Sequence, residues 1–287
     1  MKTVIITGGY GQLGVACKEH LKKSFNVIIT GKNIFEQDVK LDITDRKDIA
    51  KAYSDFKPDV VLNLAAMTNV DECERDKIAA NKINIEGVKN LCKNFSGHFI
   101  QLSTDYVFDG LSGPYNELDE VNPISHYGKT KLEAENWLKN NYSNATILRA
   151  NVIYSYTKRT KASFVKWVVD SLKNNKEINV VNDQWNNPTW TESISFIINK
   201  IIDNSIIGLY NYGDKDFMSR YDFAILISKI FNLDENLINP INTSNLNQIA
   251  ERPLKSGLKT EKIESRLGIV PNSVENCLRK IHDNLSK

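Results

Sequence analysis

The sequence predicts an α/β protein: a doubly wound parallel sheet, followed by a smaller mixed α/β unit toward the C-terminus. Two observations carry this reading. Short β-branched runs alternate with helix-like segments through the first half of the chain. That is the pattern of repeated βα units whose strands are covered on both faces. The first of these runs, Val4–Thr7, ends in a glycine-punctuated turn, Gly8-x-x-Gly11-x-x-Gly14, and a helix-like pattern follows. Three glycines can simply be a loop. Placed between a strand and a helix, they form a phosphate cradle, because the backbone can turn sharply and the helix N-terminus offers free N–H groups and positive dipole. This is the Rossmann-type arrangement, with a first gap one residue wider than in G-x-G-x-x-G.

The elements follow in order. Val4–Thr7 reads as a strand and Leu13–Lys22 as a helix with one apolar face. Val27–Thr30 is the next strand. Asp45–Phe56 is helical, with Thr44 or Asp45 as N-cap, and Pro58 breaks the chain before the strand Val60–Asn63. A long helix over Asp76–Lys93, a strand at Phe99–Ser103, a helix at Gly128–Asn140 and a strand at Thr146–Ala150 complete the alternation. After about Tyr154 the rhythm loosens. Helices are expected at Ser163–Leu172, Ser193–Ile202, Ser219–Phe231 and Ser273–Leu285, with short strands at Ile178–Val181 and Gly208–Tyr212. Residues 1–152 plus about 176–207 are expected to form the dinucleotide-binding domain, and about 153–175 plus 208–287 the substrate-binding domain.

Bulk properties narrow the partners. With 41% hydrophobic and 25% charged residues the chain is an ordinary globular protein. A net charge of +2 gives no electrostatic reason to expect a nucleic-acid or membrane partner. The apolar stretch Ile194–Ile202 contains Asn199 and Lys200 and is too short to span a bilayer. No basic-then-apolar leader precedes the first strand, so a cytoplasmic location is expected. Cys17, Cys73, Cys92 and Cys277 are far apart and are expected to be buried free thiols. No metal site is expected.

The candidate chemistry centres on Tyr127-Gly128-Lys129-Thr130-Lys131. Tyr and Lys four apart share a helix face, and an ammonium beside a phenol favours the phenolate. Tyr127 is therefore expected to have a lowered pKa and to act as a general acid or base. The same spacing recurs at Tyr53/Lys57 and Tyr154/Lys158. Tyr53 lies in a helix ending before Pro58, and Tyr154 falls in an expected loop. Only Tyr127 opens a helix that follows a strand ending in hydroxyls, Ser103-Thr104. Thr104 supplies the second donor that carbonyl activation needs. Small residues at Asn63-Leu64-Ala65-Ala66 let a flat ring approach the backbone, or pack under a helix. Asp42 can face an adenine edge or cap a helix, and capping is the better reading of Asp45. No acid follows the second strand to hold a ribose 2′-hydroxyl. Lys32 stands there instead, facing either a 2′-phosphate or solvent. The reading favours NADPH and leaves NADH open.

Thr7–Gly14, Asn63-Leu64-Ala65-Ala66-Met67-Thr68-Asn69-Val70-Asp71 and Ser103-Thr104-Asp105-Tyr106-Val107-Phe108-Asp109-Gly110 resemble the extended short-chain dehydrogenase/reductases, and within them the dTDP-4-dehydrorhamnose reductase family. Leu148-Arg149, Pro188-Thr189 and Arg252-Pro253 fall where that family keeps similar motifs. The resemblance spans nearly the whole chain, and the run Ser103–Gly110 is its most specific element. It implies hydride transfer from a nicotinamide to the C4 carbonyl of a nucleotide-linked sugar. Thr104 would bond that carbonyl, Tyr127 would deliver the proton, and Lys131 would hold the nicotinamide ribose. Gln12, Leu13, Asp42, Ile43, Ala65, Ala66 and Thr68 would line the dinucleotide, and Asp105 would touch the sugar. The family is similar to this chain except where it commonly has Trp-Leu-Tyr-Gly. Val152-Ile153-Tyr154-Ser155 stands there, so Val152 would take the place of a sugar-facing Trp. Trp185 either replaces that aromatic surface or packs in the interior. The acidic residues that bridge a metal-linked dimer in some members have no evident counterparts, which leaves a homodimer open. A 4,6-dehydratase would need Asp then Glu after the Thr, and Tyr106 follows Asp105. An epimerase, or a non-catalytic dinucleotide-binding regulatory subunit, would keep the same fold.

Overall fold

The computed structural model describes residues 1–33, 39–156 and 163–285. Strands β1 (Thr3–Thr7), β2 (Asn26–Gly31), β3 (Val39–Lys40), β4 (Val60–Asn63), β5 (His98–Thr104) and β6 (Ala145–Ala150) belong to one parallel sheet. The seventh strand of that sheet comes from much later in the chain. Short strands β7 (Ile153–Tyr154), β8 (Ile178–Val181), β9 (Trp185–Asn186) and β10 (Thr189–Trp190) intervene before β11 (Gly208–Tyr212), which pairs with β6. The strand order is β11-β6-β5-β4-β1-β2-β3. The reversal beside β1 opens a crevice at the strands' C-terminal ends, where such sheets bind ligands.

Helices cover both faces. Helix α1 (Gln12–Leu21) packs with Thr191–Asp203 on the face carrying Val4, Ile6, Leu62, Ile100 and Leu148. The other face carries Ile5, Val61, Phe99 and Ile147 and is covered by α2 (Arg46–Phe56), then α3 (Val70–Arg75), α4 (Lys77–Asn81), α5 (Gly87–Cys92) and α6 (His126–Asn141). Asp45 caps α2, its carboxylate accepting from Lys47 N at 2.8 Å. The long helix expected over Asp76–Lys93 is broken by a π-helical turn at Lys82–Glu86. Asp76 caps its start instead of continuing it. Helix α6 begins two residues before the expected Gly128, because Ser125 caps it by accepting from Gly128 N.

The expected division of the chain needs two corrections. Ile178–Val181 pairs with β13 (Ile238–Ile241), whose nearest predecessor is β12 (Met218–Ser219). It packs with Val165, Val168, Phe223, Ile227, Leu278 and Ile281 in a second core. Gly208–Tyr212 sits in the main sheet instead. Chain order suggested otherwise, but β6 leaves an open sheet edge that only a returning strand can cover. Tyr154 is in a strand and fully buried, not in a loop, and Lys158 lies outside the described residues. All four cysteines are buried and free. Among the described residues no helix is long and apolar enough to cross a membrane.

On the face covered by α6, apolar residues give way to polar ones toward the strand C-termini. Ile5 is followed two residues on by Thr7, Val61 by Asn63, Phe99 by Gln101 and Ser103, and Ile147 by Arg149. In register, Ser103 lies beside Arg149. Both meet Glu135 of α6: Arg149 donates to its two oxygens at 2.9 and 2.6 Å, and Ser103 Oγ donates at 2.5 Å. Glu135 and Arg149 are at most 1% exposed. Arg149 is the partner that bonds both Glu135 oxygens, with Lys139 Nζ at 3.6 Å as a second cation, so Arg149→Met should lower stability by up to about 3–5 kcal/mol in urea unfolding. Arg149→Lys, which keeps the charge, should cost less; an equal loss would show that the charge pair is not the source.

Candidate active site

The site starts where β1 ends. Gly8 has φ +63°, and a Cβ there would lie 2.8 Å from Ala65 N at the end of β4. Only glycine allows both that backbone conformation and that approach. The next helix, α1, has Gly11 as N-cap and no capping side chain, so its first N–H groups face outward. A cleft of about 910 Å³ opens over them. Every residue expected at the dinucleotide from the glycine turn through Thr68 lines it: Gly8, Gly11, Gln12, Leu13, Gly14, Lys32, Asp42, Ile43, Ala65, Ala66 and Thr68. Uncapped helix N–H groups, a close-approach glycine and an elongated cleft fit a dinucleotide diphosphate. Leu41, Leu64, Lys82, Ile83, Leu102 and Ile153 also line the cleft and were not anticipated. Gln12 ties it to the following segment, donating to Ile153 O at 3.0 Å and accepting from Ser155 Oγ at 3.2 Å.

At one end, Lys32 Nζ lies 3.5 Å from Asp42 Oδ2, and the Lys32 side chain is 75% exposed. Burial pushes the Asp42 carboxyl up, but N–H and O–H donation from Thr44 and the nearby Lys32 outweigh it and hold Asp42 below its usual value. Asp42 thus stands ionised beside the lysine at this end of the cleft.

Helix α6 stands behind Leu102, and Tyr127 and Lys131, also expected at the dinucleotide, do not line the cleft. Tyr127, Lys131 and Glu135 follow one another at four-residue steps on its inner face. Lys131 is 4% exposed and its Nζ donates to Leu102 O at 2.7 Å, next to the cleft. Burial pulls its pKa down to about 8, against the opposing effect of Glu135. The Tyr127 pKa is raised, not lowered as expected. Removal from water dominates, Asp105 and Tyr106 add to it, and hydrogen bonding with Thr104 opposes it. The Tyr106 ring stands edge-on to Tyr127 at 5.8 Å.

Thr104, at the end of β5, meets Tyr127 but donates its hydroxyl proton to Asp105 Oδ1 at 3.1 Å. Asp105 Oδ2 accepts from Ser256. Asp105 is 3% exposed, and its two oxygens accept from Thr104 and Ser256, bridging Thr104 to the C-terminal segment. Burial raises its pKa to about 6. Val152 does not line the cleft. It has φ +41°, rare for a β-branched residue, and its carbonyl accepts from Thr189 N at 3.1 Å. Trp185 is half-buried against Phe217, ring centroids 5.7 Å apart. Tyr53 donates to Leu91 O at 2.7 Å and plays no part here.

The RmlD substrate binding domain family matches residues 1–287. A dTDP-4-dehydrorhamnose reductase of Aggregatibacter actinomycetemcomitans is 32% identical over 299 aligned positions, covering 98% of each chain. The chain belongs to the dTDP-4-dehydrorhamnose reductase family. A crystal structure of a member from Bacillus anthracis strain Ames, in complex with NADP, has a TM-score of 0.91 at 28% identity and covers 99% of each chain. The bovine methionine adenosyltransferase 2 subunit beta is also similar, 32% identical over 93% of this chain and 83% of its own.

Lys131 makes a direct prediction. Its folded value of about 8 lies below the ordinary 10.5, so between these pH values the unfolded chain holds the extra proton and stability rises with pH. In lysine side-chain NMR, one resonance should titrate near pH 8 and vanish in Lys131→Met. Over the same range the wild type should gain stability relative to that variant. Titration of every lysine near 10 would contradict the burial argument.

Proposed function

We propose that this chain reduces the C4 carbonyl of a nucleotide-linked 4-keto-6-deoxy sugar with NADPH, its preferred substrate being dTDP-4-dehydro-L-rhamnose and its product dTDP-L-rhamnose. The observation that carries the proposal is the hydrogen bond between Thr104 and Tyr127 at the end of β5, with Lys131 one helical turn on from Tyr127 and bonded to Leu102 O, which borders a cleft that fits a dinucleotide. A reductase of this family and a relative holding NADP support it. When bound, the nicotinamide supplies hydride.

The chain's residues do the rest. The α1 N-terminus and Gly8 accommodate the diphosphate, and Ala65 and Ala66 leave room for a flat ring. A raised pKa keeps Tyr127 protonated, which suits proton donation to the carbonyl oxygen in the direction of reduction. Lys131, charged below about pH 8, favours the phenolate left behind. Thr104 adds a second donor to the developing oxyanion by turning its hydroxyl from Asp105. Lys32 takes the 2′-phosphate of NADPH, leaving its contact with Asp42. The relation to methionine adenosyltransferase 2 subunit beta, with Val152 in place of Trp, favours one alternative: a regulatory subunit that binds dinucleotide without turnover.

Assaying NADPH oxidation with dTDP-, GDP-, CDP- and UDP-linked 4-keto sugars should give turnover, fastest with the dTDP substrate. Tight NADPH binding with no turnover on any of them would establish the regulatory reading. Tyr127→Phe should reduce kcat by about 10²–10⁴-fold with cofactor affinity nearly intact. Lys32→Ala should raise KM for NADPH more than for NADH; equal effects would remove Lys32 from phosphate recognition.

A further inference from the structure

Three side chains beneath the cleft have no part in the chemistry above, yet they form one continuous chain that ends at Lys131. Thr7, Asn63 and Gln101 are register partners on the adjacent strands β1, β4 and β5. In a parallel sheet, neighbours at one register position project to the same face. Here that face is the one covered by α6. Thr7 Oγ1 donates to Asn63 Oδ1 at 2.5 Å, Asn63 Nδ2 donates to Gln101 Oε1 at 2.8 Å, and Gln101 Nε2 donates to Leu102 O at 2.7 Å. Leu102 O is the carbonyl that also accepts from Lys131 Nζ. Thr7, Asn63 and Gln101 are at most 2% exposed. Thr7 Oγ1 in turn accepts from Ala65 N at 3.3 Å, beside Gly8.

Every link runs in the same direction. Each amide accepts from the strand nearer β1 and donates toward α6. The chain therefore joins the glycine turn of the cleft to the ammonium behind Leu102. A lone carbonyl at a strand end can tilt; one that takes a second buried donor is held. An apolar residue at Gln101 would suit the sheet as well or better, as Ile147 beside it on β6 shows. The polar rung is thus not explained by packing alone.

We propose that Asn63 and Gln101 are positioning residues: through the Leu102 carbonyl they fix the Lys131 ammonium at the height set by the glycine turn, so that cofactor cradle and catalytic helix keep one spacing. The proposal rests on the reductase reading for its consequence in turnover, but not for its geometry. Glu135 on α6 is the charged group that faces Lys131, and it is held by Arg149 from β6 and Ser103 from β5. Neither of these touches the Asn63–Gln101 chain, so it can be broken without disturbing them.

The test uses the full chain with Gln101→Met and, from the other end, Asn63→Ala. Lysine side-chain NMR should show the Lys131 midpoint moving below its wild-type value in both variants, because the carbonyl that accepts from the charged form is no longer held in place. With the 4-keto sugar substrate, kcat should fall roughly 10- to 100-fold at little change in the sugar KM. In a Lys131→Met background the same substitutions should have little further effect on kcat. A lowered melting temperature with the wild-type Lys131 midpoint would overturn the proposal, leaving a structural rung only. So would losses in kcat that add fully to that of Lys131→Met. If the wild type turns over no sugar, the reductase reading fails while the NMR titration still decides whether the chain holds Lys131.

Discussion

An ammonium held out of water at the C-terminal end of a parallel sheet sets the terms for everything around it. Lys131 is 4% exposed, and a buried charge needs both a counter-charge and fixed acceptors. Leu102 O supplies one acceptor, and Glu135 one turn away supplies the opposite charge. Glu135 is itself buried and requires Arg149 and Ser103. These demands explain why the face under α6 turns polar at its upper edge while remaining apolar below. They also fix α6 in place, and with it Tyr127, four residues before the lysine.

Parts of this were legible in the sequence because they are local. A β-branched run, a glycine that must take φ +63° and an uncapped helix start lie within about a dozen residues, so the cradle can be read directly. The Tyr127/Lys131 spacing is likewise a property of one helix. What could not be read depends on distant strands coming together. Nothing near Gln101 in the chain reveals that Asn63 and Lys131 are its neighbours. The direction of the Tyr127 shift was misjudged because spacing shows the nearby lysine but not the loss of water under Tyr106 and Asp105. The same limit applies to Gly208–Tyr212 and Ile178–Val181, where strand partners, not chain order, decide which core each joins.

Asp105 is turned inward, bridging Thr104 to Ser256, so the C-terminal segment is tied to the end of β5. The Arg252–Asp71 ion pair at 2.9 Å draws the same segment onto α3.

The measurement that bears most directly on the account is a crystal structure of this protein with NADP and a dTDP-sugar bound. The nicotinamide should lie beside Ala65 and Leu102, its ribose within hydrogen-bonding distance of Lys131, with Tyr127 and Thr104 both facing the sugar C4 oxygen. A nicotinamide resting elsewhere, or a sugar oxygen out of reach of Tyr127, would contradict it.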